Sequence, residues 1–357
     1  MKVAIIILGN SWICPYVNTY KMILEKCGIG YDVILWNRDG SDVDCDGTVC
    51  YNSGAIDLNN PLLKLYGYIK YARFIKKTVQ ENGYDKLVVS GPHLAILLSS
   101  FLRRKFRGRY MLDYRDISVE QLPFLSWLYS KALAGSCCNV ISSLGFKKYL
   151  PRQYRYVVSH NFNVDDARKA LAGDVVGSIV APWKILTIGS IRNFSSNVQV
   201  LDALAGSPSC NMSFVGSGDA SERLARYASE YNIRNVEFVG FYKKEDEPSY
   251  VKNASFINIY FPSDVEHSTI MSNRFYLSLI YKKPMIVTAG SVQATLVEKY
   301  GLGVVVSDAA GLYMQLEEFV SSFNPVKFAR ACNDLLADFV DEHEMMERLV
   351  CEFVLKK

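Results

Sequence analysis

Short β-branched runs alternate with amphipathic stretches from the start of the chain. VAIIIL (3–8) is an unbroken apolar run of strand length, followed by a polar turn at Gly9, Asn10 and Ser11 and a helical pattern over 17–28. YDVILW (31–36), KLVVS (86–90), RYMLDY (109–114) and NVISS (139–143) repeat the strand signature. A helical pattern covers 61–82, with Leu62, Leu65, Tyr66, Ile69, Phe74 and Val79 near one face, and another runs from His93 to Lys105. Continuous apolar runs mark strands buried on both faces, and strands alternating with helices specify a parallel sheet covered on both sides.

The pattern breaks between Asn161 and Trp183 into a polar segment containing Gly and Pro, then starts again. WKILTIG (183–189), MSFVG (212–216), VEFVG (236–240), SFINIY (255–260), PMIVT (284–288) and GVVV (303–306) are strands. Helical patterns lie at 196–205, 220–231, 245–253, 272–282 and 291–300. The last thirty residues read as one long amphipathic helix or a kinked pair, with Phe328, Cys332, Leu335, Phe339, Leu349 and Phe353 on the apolar side. The fold class is therefore α/β, with two doubly wound Rossmann-like domains facing a cleft. The expected boundaries are 1–163 for the first domain, 164–182 for a linker, 183–326 for the second domain and 327–357 for a helix packing back on the first. Ligands of such sheets sit outside the carboxyl ends of the strands.

Composition refines this. At 357 residues the chain exceeds what one core sustains, and half its residues are hydrophobic, which excludes a disordered polymer. The net charge of +4 hides an asymmetry: 21 Lys and Arg against 12 Asp and Glu in residues 1–163, but 19 against 24 in 164–357. A basic first half suits an anionic partner (a membrane surface, a phosphate-bearing ligand or a nucleic acid) or is a face of solvated lysines. Nine cysteines without C-x-x-C spacing fit a reduced, cytoplasmic protein with no zinc site. LVVSGPHLAILLSSFL (87–102) is too short and too polar to span a bilayer, and the N-terminal apolar run lacks a signal-peptide cleavage pattern.

Few segments suggest chemistry. Gly216-Ser217-Gly218 follows a strand and opens a helix, where glycine permits either a tight turn or backbone contact with a phosphate. Ser221 stands where a dinucleotide fingerprint needs a third glycine, and the next strand ends in Gly240 rather than an acid, which disfavours a nicotinamide dehydrogenase. DVDCDG (42–47) holds a D-x-D and mimics a calcium loop, but its twelfth position is Ser53, so it reads as a solvated acidic turn. No G-x-S-x-G, H-E-x-x-H or P-loop occurs, and histidine is found only at 93, 160, 267 and 343. PSDVEHSTIM (262–271) crowds polar groups before the 272–282 helix, suiting either an anion site at the helix N-terminus or plain capping.

In order along the second half, ILTIGSIRNFSSNVQVLDAL, SFVGSGDASERLARYA, VEFVGFYKKEDEPSYVKNASF, SNRFYLSLIYKKPMIV and LVEKYGLGVVV resemble the nucleotide-sugar domain of GT-B glycosyltransferases, in the retaining, family-4-like group. YMLDYRDI (110–117) and VISSLGFKKYL…VVSHNFN resemble, more loosely, its acceptor domain. The resemblance implies transfer of a sugar from a nucleotide-diphosphate sugar to a glycan or lipid-linked acceptor of cell-surface polysaccharide or glycolipid assembly. Retention at the anomeric carbon, no metal and no other cofactor are implied too.

The resemblance also assigns site residues. On the donor side, Arg192, beyond the Gly189–Ser190 turn, would face the diphosphate or else be a surface ion-pair residue, while Ser195 stands where a second cation is common. Gly216 and Gly218 would line the donor, and Ser272, Asn273 and Arg274 would bring a helix N-terminus to the phosphates. Leu277 occupies the position of a ribose-binding glutamate, so Glu266, beside His267, is either its substitute or a plain loop carboxylate. On the acceptor side, Arg115 and Asp116, at the end of a strand facing the cleft, are the catalytic candidates: Asp116 would orient or deprotonate the acceptor hydroxyl, or else cap a helix or pair with Arg115. Gly9 and Asn10 would form the other cleft wall.

Two basic, aromatic-bearing stretches, KLYGYIKYARFIKK (64–77) and RRKFRGR (103–109), suit peripheral contact with anionic lipid at the inner face of a plasma membrane. No nucleic-acid-binding pattern competes with them. Leu277 and Ser195 motivate the alternative of a catalytically impaired module of this fold that binds a nucleotide, glycan or partner enzyme.

Overall fold

The computed structural model describes residues 1–10, 14, 16–38, 47–53, 60–173 and 177–356. Residues 42–46 of the acidic DVDCDG stretch, and Ser11 of the first turn, lie outside the described residues. The chain divides into two compact units, Met1–Asn161 with Glu342–Lys357, and Phe162–Asp341.

The first unit is built from β1 (Lys2–Ile6), α1 (Val17–Lys26), β2 (Gly30–Asn37), β3 (Thr48–Asn52), α2 (Pro61–Glu81), β4 (Lys86–Ser90), α3 (Pro92–Lys105), β5 (Tyr110–Tyr114), α4 (Pro123–Leu133), β6 (Cys138–Ile141) and β7 (Val157–Val158). Its seven parallel strands run in the order β3-β2-β1-β4-β5-β6-β7. The order reverses at β1, so the segment after β1 and the start of α3 flank the switch point where such sheets bind ligands.

The second unit contains α5 (Val164–Ala172), β8 (Trp183–Ile188), α6 (Phe194–Leu204), β9 (Cys210–Val215), α7 (Ser221–Glu230), β10 (Val236–Gly240), α8 (Glu247–Asn253), β11 (Phe256–Ile259), α9 (Val265–Thr269), α10 (Asn273–Ile280), β12 (Met285–Thr288), α11 (Val292–Tyr300), β13 (Gly303–Val306) and α12 (Leu312–Ser321). Its parallel strands run β10-β9-β8-β11-β12-β13, and the loops after β8 and β11 bracket its switch point.

Helix α13 (Pro325–Leu355) is one continuous helix that crosses from the second unit to the first at 341/342. Phe328, Cys332, Leu335, Leu336, Phe339 and Val340 join the core of the second unit. Met346, Val350, Phe353 and Val354 join that of the first, alongside β1 and α1.

Three features depart from the sequence reading. The segment 164–182 opens with a helix rather than a linker: Asn163 caps α5 by accepting from Asp165 and Asp166 N–H, and Ala167 is buried in the second core. Helix α2 buries Gly67, Tyr71, Ala72, Ile75, Thr78 and Val79, leaving Leu62, Leu65, Tyr66 and Ile69 exposed, because Tyr71 and Phe74 join the aromatic cluster of Trp36 and Tyr51. Strand β3 and helices α4, α9 and α12 are additional elements.

Candidate functional site

In the second unit the loop after β8 and the loop after β9 lie backbone to backbone. Gly189 N–H donates to Val215 O (2.9 Å) and Ile191 N–H to Ser217 O (3.1 Å), extending the strand ladder beyond its ends. A Cβ on Gly216 would collide with the Gly189 carbonyl, and one on Gly218 with the Ile191 carbonyl. Tight turn packing thus accounts for both glycines, and the positive φ of Gly216 adds to the requirement.

That packing projects Ser190 and Arg192 to the surface. The Arg192 guanidinium is exposed, its Nε donating to Ser190 Oγ (2.9 Å). The next residue, Asn193, has a left-handed backbone and was not singled out from the sequence. Its Nδ2 lies 3.0 Å from His267 Nε2, and His267 Nδ1 lies 2.8 Å from the Asp264 carboxylate. With Nδ1–H donating to the carboxylate, Nε2 is left to accept from the amide, so all three residues are satisfied. Burial works to raise the Asp264 carboxyl, but bonds from the His267 main chain and ring outweigh it and hold it low. This bridge ties the Arg192 loop to the PSDVEHSTIM segment. An Asp three residues before a His at a helix start was the sequence signal for half of it. Glu266, on the same short helix, is exposed to solvent.

Helix α10 starts as the capping alternative requires: Ser272 Oγ accepts from Arg274 N–H (3.2 Å), and Gln293 Oε1 accepts from Ser272 N–H (3.1 Å). Asn273 is exposed. Arg274, expected at the phosphates, turns inward and is only 8% exposed. Its Nε donates to Ile188 O (2.6 Å), Nη1 to Asn258 O (3.2 Å) and Nη2 to Ser190 O (2.9 Å), crossing the C-terminal ends of β8 and β11. Strand-end carbonyls have no ladder partner, and a planar five-donor group satisfies three at once. Burial pushes the guanidinium down to about 10, so it stays cationic at neutral pH. Leu277, on the next turn, packs half-buried against the core of the unit.

In the first unit Gly9 and Asn10 are buried at the switch point. Asn10 Nδ2 donates to Asn37 Oδ1 (3.0 Å), Asn37 Nδ2 donates to Asn52 Oδ1 (2.8 Å), and Arg38 N–H donates to Asn10 Oδ1 (3.2 Å). This asparagine chain fastens the ends of β1, β2 and β3.

Arg115, expected to face ligand, is also turned inward. Its Nε lies 2.8 Å from Asp113 Oδ1, Nη2 donates to Ser159 Oγ (3.2 Å), and the guanidinium sits 4.4 Å from the Tyr16 ring centre. Burial pushes the enclosed Asp113 carboxyl up, and Arg115 pulls against it. Asp116, one residue later, is exposed at the bend after β5. Ser118 Oγ lies 3.2 Å from His93 Nε2 at the start of α3, and Glu120 holds the turn by accepting from Ser118 N–H and Tyr114 O–H. The structure thus brings Asp116 and His93 to one edge of the sheet. Burial lowers the pKa of His93.

Among the described residues, no group of three or more His, Cys, Asp or Glu side chains is placed to hold a metal ion, and no helix is long and apolar enough to cross a membrane.

No protein-family model matches the chain, and no curated protein matches it by sequence. Solved structures do match across its whole length. Sucrose-phosphate synthase from Thermosynechococcus elongatus is 17% identical with a TM-score of 0.71, covering 100% of both chains. Anabaena HepE, solved in complex with UDP-glucose, is 13% identical with a TM-score of 0.66, again covering 100% of both. WaaG, a glycosyltransferase involved in lipopolysaccharide biosynthesis, is 11% identical with a TM-score of 0.62, covering 99% of this chain and 100% of that one. Two parallel sheets with these strand orders, matched end to end by such structures, give this chain the GT-B fold of the glycosyltransferases.

Proposed function

We propose that the protein is a glycosyltransferase of the hexosyltransferase class. It takes a sugar from a nucleotide-diphosphate sugar bound at the C-terminal edge of the second sheet and passes it to a glycan or lipid-linked acceptor at the corresponding edge of the first. The observation that carries this reading is the pair of guanidinium groups at the second edge. Arg192 is free to solvent on one side of the Gly189–Ser190 turn, and Arg274 lies beneath that turn bonded to three carbonyls. A leaving diphosphate gains negative charge in the transition state, and cations held beside it supply what a metal supplies elsewhere. Transfer is metal-independent and retaining in this reading. Asp116 orients the acceptor hydroxyl, and Asn193, His267 and Asp264 hold the Arg192 loop in place.

The acceptor belongs to cell-surface polysaccharide or glycolipid assembly, met at a cytoplasmic membrane face. Supporting this, Leu62 on α2 is 76% exposed and Phe124 and Trp127 on α4 are 69% and 54% exposed, with Lys64, Lys70 and Lys131 nearby in sequence. Both helices pack on α3. Phe124 and Trp127 stack on one another, and contiguous exposed apolar groups mark membrane or protein interaction surfaces.

Incubation with a panel of nucleotide-diphosphate sugars and phospholipid vesicles tests the proposal, with hydrolysis or transfer expected for at least one donor. Leu277 favours a second reading, a module that binds a nucleotide without turning it over. Diphosphate binding with no turnover, unaffected by Asp116→Ala, would select that one.

A further inference from the structure

We propose that Cys27 and Cys351 are a redox modification site whose oxidation fastens the end of the chain to helix α1. The proposal stands apart from the transfer reading, since neither residue lies near the candidate site. Cys27 follows the last residue of α1, and Cys351 is in the final turns of α13. Their sulfurs approach to 2.8 Å across a separation of 324 residues. A disulfide bond is about 2 Å long, so a small sulfur movement separates the two states.

Neighbouring contacts fix this approach independently of the sulfurs. Lys26 pairs with Glu347 one turn before Cys351, and Met346, Val350, Phe353 and Val354 are buried with Ile23 and Leu24 of α1. Both thiols are only partly buried and therefore open to a small oxidant, whereas Cys14, Cys50, Cys210 and Cys332 are enclosed.

The oxidant is a low-molecular-weight disulfide. Cys27, partly exposed just past the end of α1, is the attacking thiol. Its thiolate attacks one sulfur of the oxidant, and the other sulfur leaves and takes up a proton. Cys351 then gives up its proton, and its sulfur displaces the remaining small thiol from Cys27. Two protein thiols become one disulfide, and the oxidant becomes two thiols. The closed loop spans nearly the whole chain, a large constraint on the unfolded ensemble, and it removes local opening of the terminal helix.

The full-length protein, treated with oxidised glutathione or with dithiothreitol, is mapped by peptide mass spectrometry and amide hydrogen exchange. A Cys27–Cys351 peptide lighter by two hydrogens is expected after oxidation, and is absent from Cys27→Ser and Cys351→Ser. Exchange over 342–356 is expected to slow roughly tenfold in oxidised wild type but not in oxidised Cys27→Ser. Failure of the linked peptide to form while exposed Cys137 is glutathionylated would overturn the proposal. A linked peptide without slower exchange would overturn the claim that it fastens the helix.

Discussion

Each unit places one arginine beneath the loops at the C-terminal edge of its sheet, and the two are compensated differently. In the first unit Arg115 faces the buried carboxylate of Asp113 and the carbonyl and hydroxyl of Ser159. In the second, Arg274 is held by three main-chain carbonyls. Dipoles satisfy its hydrogen bonds but do not cancel its charge. The first edge therefore pairs its buried arginine with a carboxylate, while the second leaves the charge of its buried arginine uncancelled under the Gly189–Ser190 turn. A neutral hydroxyl acceptor suits the former, and a diphosphate suits the latter.

Removing each arginine separates the two cases. Arg115→Met leaves Asp113 buried and unpaired, which should cost about 3–5 kcal/mol in denaturant unfolding at pH 7. Burial already raises the Asp113 carboxyl, and losing Arg115 raises it further. A carboxyl whose folded pKa lies above its unfolded one is destabilising above both. The deficit should therefore shrink as the pH falls through the folded pKa, and Asp113→Leu in the same chain should restore much of it. Arg274→Met leaves polar carbonyls but no stranded charge. We expect a smaller loss of about 2–3 kcal/mol, with no recovery between pH 7 and pH 5. Equal losses with equal pH profiles would erase the distinction.

Arg192→Ala should leave stability unchanged and weaken nucleoside-diphosphate binding by about 1.5–3 kcal/mol, roughly ten- to a hundredfold by titration. His267→Ala, which releases Asn193 from its bridge, should weaken the same binding less, by about 1 kcal/mol, because it disorders the loop without removing the cation. The smallest effect concerns Lys282, two residues beyond α10, which has φ +50 at a position that favours glycine, yet donates from Nζ to Ala170 O (2.8 Å). Lys282→Gly relaxes the backbone and loses that bond, so its stability should stay within about 1 kcal/mol of wild type.

The fold was legible where burial is unambiguous. LVV within KLVVS and MIV within PMIVT are continuous apolar runs, and β4 and β12, buried at every position, occupy those residues. TVCYN hides at a sheet edge, where only Cys50 is buried and no run forms. PFLSWLYSKAL conceals α4, because Phe124 and Trp127 face solvent and break the amphipathic pattern. In the candidate site, the order of motifs pointed to both edges, but the direction of each arginine depends on tertiary packing. Arg274 and Ser278 are four residues apart on the buried face of α10, where Ser278 Oγ donates to Arg274 O. Nothing local marked Asp113 as the partner of Arg115 rather than Asp116.

Calorimetric titration of uridine, guanosine and cytidine diphosphates into wild type and Arg192→Ala tests the central claim most directly. At least one diphosphate should bind wild type without added metal, and the same one should bind Arg192→Ala at least tenfold more weakly. Absence of binding by all three, or equal affinity for the two proteins, would contradict the assignment of the second edge as a diphosphate site.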